Sequence, residues 1–112
     1  MVSCSGVMDE RFGMQARFTT HPGRGADLAA MLLEAAAGLE TRDACLLYLV
    51  GRDVEEPDVV WVTEAWTDQE SHAASLQDPA ALELIQRALP LLAGPPEARQ
   101  IDPVGGKGLP LP

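Results

Sequence analysis

Two ionisable side chains near the middle of the chain have the type and the setting to move a proton. Glu64 stands two residues before Trp66 in the run Val59-Val60-Trp61-Val62-Thr63-Glu64-Ala65-Trp66, and His72 follows six residues after that tryptophan. Side chains alternate along an extended strand, so Val60, Val62, Glu64 and Trp66 share one face while Val59, Trp61, Thr63 and Ala65 share the other. A carboxylate among apolar neighbours on a covered face is partly stripped of water, which makes it a stronger base. An imidazole can accept a phenolic proton near neutral pH. Glu64 and His72 are therefore the candidate catalytic residues, with Trp66 as an apolar wall beside them. The plainer alternatives are a cross-strand ion pair from Glu64 to Arg17 or Arg52, a surface position for His72 and simple core packing for Trp66. Tyr48 and Arg87 are further candidates for substrate binding. Tyr48 either packs within its strand or brings its hydroxyl to the rim of a cleft.

These residues need elements to hold them. From Phe12 the pattern alternates, with Phe12, Met14, Ala16 and Phe18 on one face and Gln15, Arg17 and Thr19 on the other, which predicts a first strand. His21-Pro22-Gly23-Arg24-Gly25 is a turn by its chemistry. Leu28, Met31, Leu32, Ala35 and Leu39 then recur at helical spacing, so a first helix is expected from Ala26 to Leu39. The short apolar run Cys45 to Val50 predicts a second strand, joined by the polar segment Asp53 to Asp58 to the third strand, Val59 to Trp66. Thr67-Asp68-Gln69-Glu70 reads as a capping box opening a helix to Leu76. Asp78-Pro79 reads as an N-cap followed by proline at the first helical position of a third helix, which Pro90 should end or kink. Glu97 to Asp102 is a final strand.

The order β-α-β-β-α-α-β predicts an α+β, ferredoxin-like fold: a four-stranded antiparallel sheet with its helices on one face. Neither face of the third strand is polar enough to be left wet. Helices cover one face; a second sheet, a second chain or a ligand must cover the other, and this is the first indication of a dimer. Residues 1–11 are expected to be a disordered tail, 12–102 the folded domain and 103–112 a Gly/Pro-rich arm. The arm's Gly105-Gly106-Lys107-Gly108 lacks the Ser or Thr, the preceding strand and the following helix of a phosphate loop; an arm lying across a partner subunit is the expectation.

A chain of 112 residues builds one hydrophobic core. Seventeen acidic against eight basic residues give a formal charge of −9, which repels a phosphate backbone and argues against nucleic acid. Cys4 and Cys45 make no disulfide framework and no metal-ligand spacing. The absence of a long apolar run or a signal-like start suggests a soluble, cytoplasmic protein with no membrane association.

Taken together, His21-Pro22-Gly23, Ala44-Cys45-Leu46-Leu47-Tyr48, Trp61-Val62-Thr63-Glu64-Ala65-Trp66 and Leu92-Ala93-Gly94-Pro95-Pro96 resemble the antibiotic biosynthesis monooxygenase family, over roughly Phe12 to Asp102. The resemblance implies a homodimeric α+β barrel, two ferredoxin-like sheets face to face, with a cleft between sheet and helices in each subunit. It also implies chemistry without a cofactor or metal in the branches that oxidise quinols or polyketide anthrones. In the anthrone branch a Trp ends the third strand, an aromatic hydroxyl follows six residues later and an Asn precedes the Trp by four; these positions hold Trp66, His72 and Val62 here. Arg87 lies near, but not on, the position of a helical Arg of that branch. The chain contains no Asn, so the anthrone pattern is incomplete. The haem-degrading branch fits worse: its Asn, Trp and proximal His positions hold Ala16, Ser75 and Ile85, which leaves no axial ligand. The quinol or small-monooxygenase branch remains.

The expectation is a cofactor-independent monooxygenase that oxidises a small phenolic, quinol or anthrone-like aromatic with O2. The alternatives are a non-catalytic module of the same fold that binds a small hydrophobic ligand or regulates a partner, and an isomerase or decarboxylase using the same cleft.

Overall fold

The computed structural model describes residues 11–109. Of the tail expected at residues 1–11, residues 1–10, with Cys4, lie outside the described residues, as do the last three residues of the arm. Four strands, β1 (Phe12–Thr19), β2 (Cys45–Arg52), β3 (Val59–Trp66) and β4 (Glu97–Ile101), form one antiparallel sheet in the order β2-β3-β1-β4. Helices α1 (Gly25–Gly38), α2 (Gln69–Ser75) and α3 (Pro79–Ala88) accompany the sheet. The element order matches the expected ferredoxin-like arrangement, and β3 has the predicted ends.

The alternation on β1 and β3 explains the sheet's two sides. Phe12 pairs with Trp66, Met14 with Glu64, Ala16 with Val62 and Phe18 with Val60, so these residues of both central strands share the inner face. Leu28 of α1, Val60 and Leu91 form the centre of the core, flanked by Phe18, Met31, Leu32, Val50 and Ala88. On the opposite face Leu49 remains 59% exposed and Trp61 41% exposed. Residues 103–109 run back over this outer face of their own sheet. With Leu47, Thr63, Ala65 and Ile101 they border a cavity of about 270 Å³.

Three local details differ from the sequence reading. First, the cap of α2 is Asp68, one residue later than the expected Thr67. Its carboxylate accepts from Ser71 N at 2.7 Å while the Thr67 hydroxyl donates to its other oxygen at 3.0 Å. A charged acceptor at the positive end of a helix outcompetes a hydroxyl, and the Ser71 hydrogen bond holds the Asp68 carboxyl below its ordinary range. Second, α1 begins without a side-chain cap of its own. Asp58, from the β2–β3 loop, reaches across and accepts from Gly23 N at 3.0 Å and Gly25 N at 3.2 Å. Gly25 has no room for a side chain: a Cβ there would run into the carbonyl oxygen of Pro57. Third, Pro90 does not merely stop α3 but sits within a single 3₁₀ turn, Leu89–Leu91, which carries Leu91 into the core.

Candidate active site

Sheet and helices part around one cavity of about 210 Å³. Its apolar walls come from Leu32, Ala35 and Leu39 on and just after α1, from Leu76 after α2, and from Ala81, Leu84 and Ile85 on α3. The sheet contributes Tyr48, Glu64 and Trp66. At the side, Arg42 before β2 bonds Asp78 at 3.2 Å, tying the α1–β2 turn to the N-cap of α3.

Glu64 is held on one oxygen and open on the other. Trp66 Nε1 donates to Glu64 Oε1 at 2.9 Å, and His72 Nε2 stands 3.6 Å from the same oxygen, an ion pair whenever the imidazole is protonated. The two side chains are only 13% and 11% exposed. Neither Arg17 nor Arg52 neutralises Glu64: Arg17 lies 3.6 Å from Glu56, and Arg52 donates to the Pro57 carbonyl oxygen at 2.8 Å. Packing keeps the imidazole where it is. His72 stacks on Phe12 at a ring separation of 4.6 Å and meets the Trp66 indole edge-on at 5.5 Å. Phe12 and Trp66 are register partners, so the end of the β1–β3 ladder forms the seat for the histidine ring.

Tyr48 reaches the same cavity from β2. Tyr48 stands opposite Glu64 in the regular ladder that runs from Arg52–Val60 to Leu47–Ala65; a bulge between Cys45 and Leu47 then shifts the register by one residue and sets Cys45 opposite Trp66. Burial, and then the negative charge of Glu64, push the Tyr48 phenol well above its ordinary value, so the hydroxyl keeps its proton and serves as a donor. Burial followed by the Glu64 charge also raises the Cys45 thiol, which is therefore a poor nucleophile. The arrangement offers an apolar slot, a carboxylate acceptor, a neutral phenol donor and an imidazole behind the carboxylate.

The family model for antibiotic biosynthesis monooxygenase matches residues 11–87, which contain nearly all of this site. The chain belongs to the antibiotic biosynthesis monooxygenase family. Among solved structures, it is similar to a protein of Chloroflexus aurantiacus J-10-fl classed with these monooxygenases: 36% identity, a TM-score of 0.80, and coverage of 89% of this chain and 99% of that one. A Caulobacter crescentus protein of the same class aligns at 20% identity, covering 89% of this chain and 96% of its own, with a TM-score of 0.77. SnoaB, a cofactor-independent oxygenase from Streptomyces nogalater solved as a mutant, shares the fold at 18% identity and a TM-score of 0.71, covering 82% of this chain and 91% of its own. No curated protein matches the sequence.

Within this member of the antibiotic biosynthesis monooxygenase family, the structure brings Glu64, Trp66, His72 and Tyr48 together. His72 touches Glu64 and Trp66 but does not line the cavity. Val62 is 2% exposed in the sheet and is also absent from the cavity wall. Arg87 is at the surface, 2.8 Å from both Glu34 and Glu83. Only its partner Glu34 borders the cavity. Sequence reasoning missed Arg42, Asp78 and Ser75 as lining residues. Asp78 carried a signal as the residue before Pro79, but nothing local ties it to Arg42, 36 residues away. Among the described residues no three His, Cys, Asp or Glu side chains converge as a metal site, and no helix is long and apolar enough to cross a membrane.

Proposed function

We propose that the protein is a cofactor-independent monooxygenase that oxidises a small phenolic or quinol-type aromatic with O2 in the cavity beneath α1 and α3. The observation that carries this reading is Glu64: a carboxylate with no cationic partner from Arg or Lys among the described residues, fixed by Trp66 and facing an apolar slot. Direct reaction of O2 with a singlet organic molecule is spin-forbidden, so the substrate must supply the first electron itself, and a deprotonated quinol can do so. Glu64 takes the phenolic proton; His72, 3.6 Å behind it, is placed to share or receive that proton. A C–O bond then forms at a ring carbon. One oxygen atom stays on the ring, the other leaves as water, and the ring supplies all four electrons, so a quinol becomes a hydroxylated quinone. The kinship with SnoaB supports a cofactor-free route at the level of fold. We further propose a homodimer, with a second copy covering the outer sheet face on which Leu49 and Trp61 are exposed.

Oxygen uptake by metal-free, flavin-free protein is the test, with a panel of quinols and comparison of wild type, Glu64→Gln and His72→Ala. The expected result is saturable uptake above autoxidation. Glu64→Gln should lower it by about 10²–10⁴-fold, the usual share of general-base catalysis, and His72→Ala by less. Tight binding without uptake would replace the oxygenase by a binding module. Oxygen-independent turnover would point to an isomerase or decarboxylase.

A further inference from the structure

The sheet wall of the cavity carries two polar groups with unused hydrogen-bonding capacity, and they are of opposite kind. Among the described residues, Glu64 accepts from Trp66 through Oε1 only, leaving Oε2 without a partner, and the Tyr48 hydroxyl makes no hydrogen bond. Neither atom is sealed from water without a partner. Both line the cavity from neighbouring strands at directly opposed register positions. The phenol stays neutral and can donate; the carboxylate accepts. Size adds a second restriction: an apolar cavity of about 150 Å³ takes one benzene, whereas this one measures about 210 Å³.

Resting on the oxygenase reading above, we propose that Tyr48 is the specificity-determining residue of this site. Glu64 Oε2 receives the ring hydroxyl that is to lose its proton, and the Tyr48 hydroxyl donates to a second oxygen on the same substrate. The substrate is thus a one- or two-ring aromatic carrying two oxygens, and unsubstituted anthrone, with a single oxygen, lacks the second contact. Trp66 belongs to this recognition indirectly. Its indole N–H fixes which carboxylate oxygen stays free, and a free-rotating carboxylate would give one of the two contacts away to water.

Anaerobic titration calorimetry separates binding from turnover. The probes are naphthol, naphthohydroquinone, the vicinal dihydroxynaphthalene and anthrone, against wild type and Tyr48→Phe. In wild type at least one diol should bind about tenfold more tightly than naphthol, the worth of one additional buried hydrogen bond, and anthrone should bind at least tenfold more weakly than that diol. Tyr48→Phe should bring diol and naphthol to the same affinity while leaving naphthol itself unchanged. A diol preference that survives Tyr48→Phe, or anthrone binding as tightly as the diol, overturns the proposal. The outcome is independent of the oxygen-uptake test. Selective binding without uptake would remove the oxygenase reading and leave this recognition standing, whereas uptake with unselective binding would do the reverse.

Discussion

Tyr48 and Cys45 make the site's electrostatics visible in stability. Both are raised by burial first and by the Glu64 charge second, from ordinary values near 10 for the phenol and 9 for the thiol. Above those values the unfolded chain releases protons that the folded chain retains. Folding stability is therefore complete at neutral pH and declines as pH rises past about 9 to 10, with a limiting slope of about 1.4 kcal/mol per pH unit from Tyr48 and a smaller contribution from the more exposed Cys45. Thermal melts from neutral to alkaline pH should show a falling Tm. In Tyr48→Phe the fall should be shallower, leaving the share of Cys45. An unchanged alkaline slope in that variant would mean the hydroxyl is not withdrawn from water. At this scale the sequence already placed Glu64 beside Trp66, since residues two apart on a strand share a face. That Trp66 donates to Glu64, and that His72 stands behind it, depends on contacts no spacing encodes.

Helix α2 is the element that brings His72 to its seat, and it is only seven residues long, Gln69–Ser75. A helix this short has little intrinsic stability, so its start matters. Asp68 supplies that start, and Asp68→Ala should lower the Tm, read from a thermal melt at neutral pH. Loss of the cap should also weaken the His72 stack on Phe12, visible as a change in the histidine ring resonances by NMR. An unaltered Tm would show that α2 is held by tertiary packing alone. The sequence signalled a cap in Thr67-Asp68 and left its identity one residue out, a small error because both residues have cap chemistry. It could not show that α1 is started by Asp58 from a distant loop, since that pairing follows from the β1–β3 ladder bringing Asp58 beside Gly23 and Gly25.

For the molecule as a whole, the outer sheet face is the surface that presents apolar side chains to the proposed second copy. Leu49 and Trp61 lie at exposed positions of β2 and β3, while residues 103–109 shelter only the part near Leu47, Ala65 and Ile101. In the proposed homodimer the second sheet must cover Leu49 and Trp61 and accommodate the arm beside them. Leu49→Glu places a charge at the centre of that contact and should convert the dimer to a folded monomer, as measured by light scattering after gel filtration with circular dichroism to confirm the fold. A wild-type chain that is monomeric at micromolar concentration would refute the dimer directly.

By itself the sequence determined the order of the elements, the ends of β3, the inward faces of the strands and the neighbouring positions of Glu64 and Trp66. All of these rest on local periodicity: a two-residue repeat for strands, a three-to-four-residue repeat for helices, and cap or turn chemistry at the ends. Tertiary structure alone decided the rest. The β2–β3 register set Tyr48 opposite Glu64; the Phe12–Trp66 pair built a seat that holds His72 behind the carboxylate; and ion pairs with Glu34 and Glu83 kept Arg87 on the surface. Each of these depends on residues far apart in the chain meeting at one register. Strand register is fixed by the packing of the whole core, and side-chain partners follow from register rather than from sequence spacing.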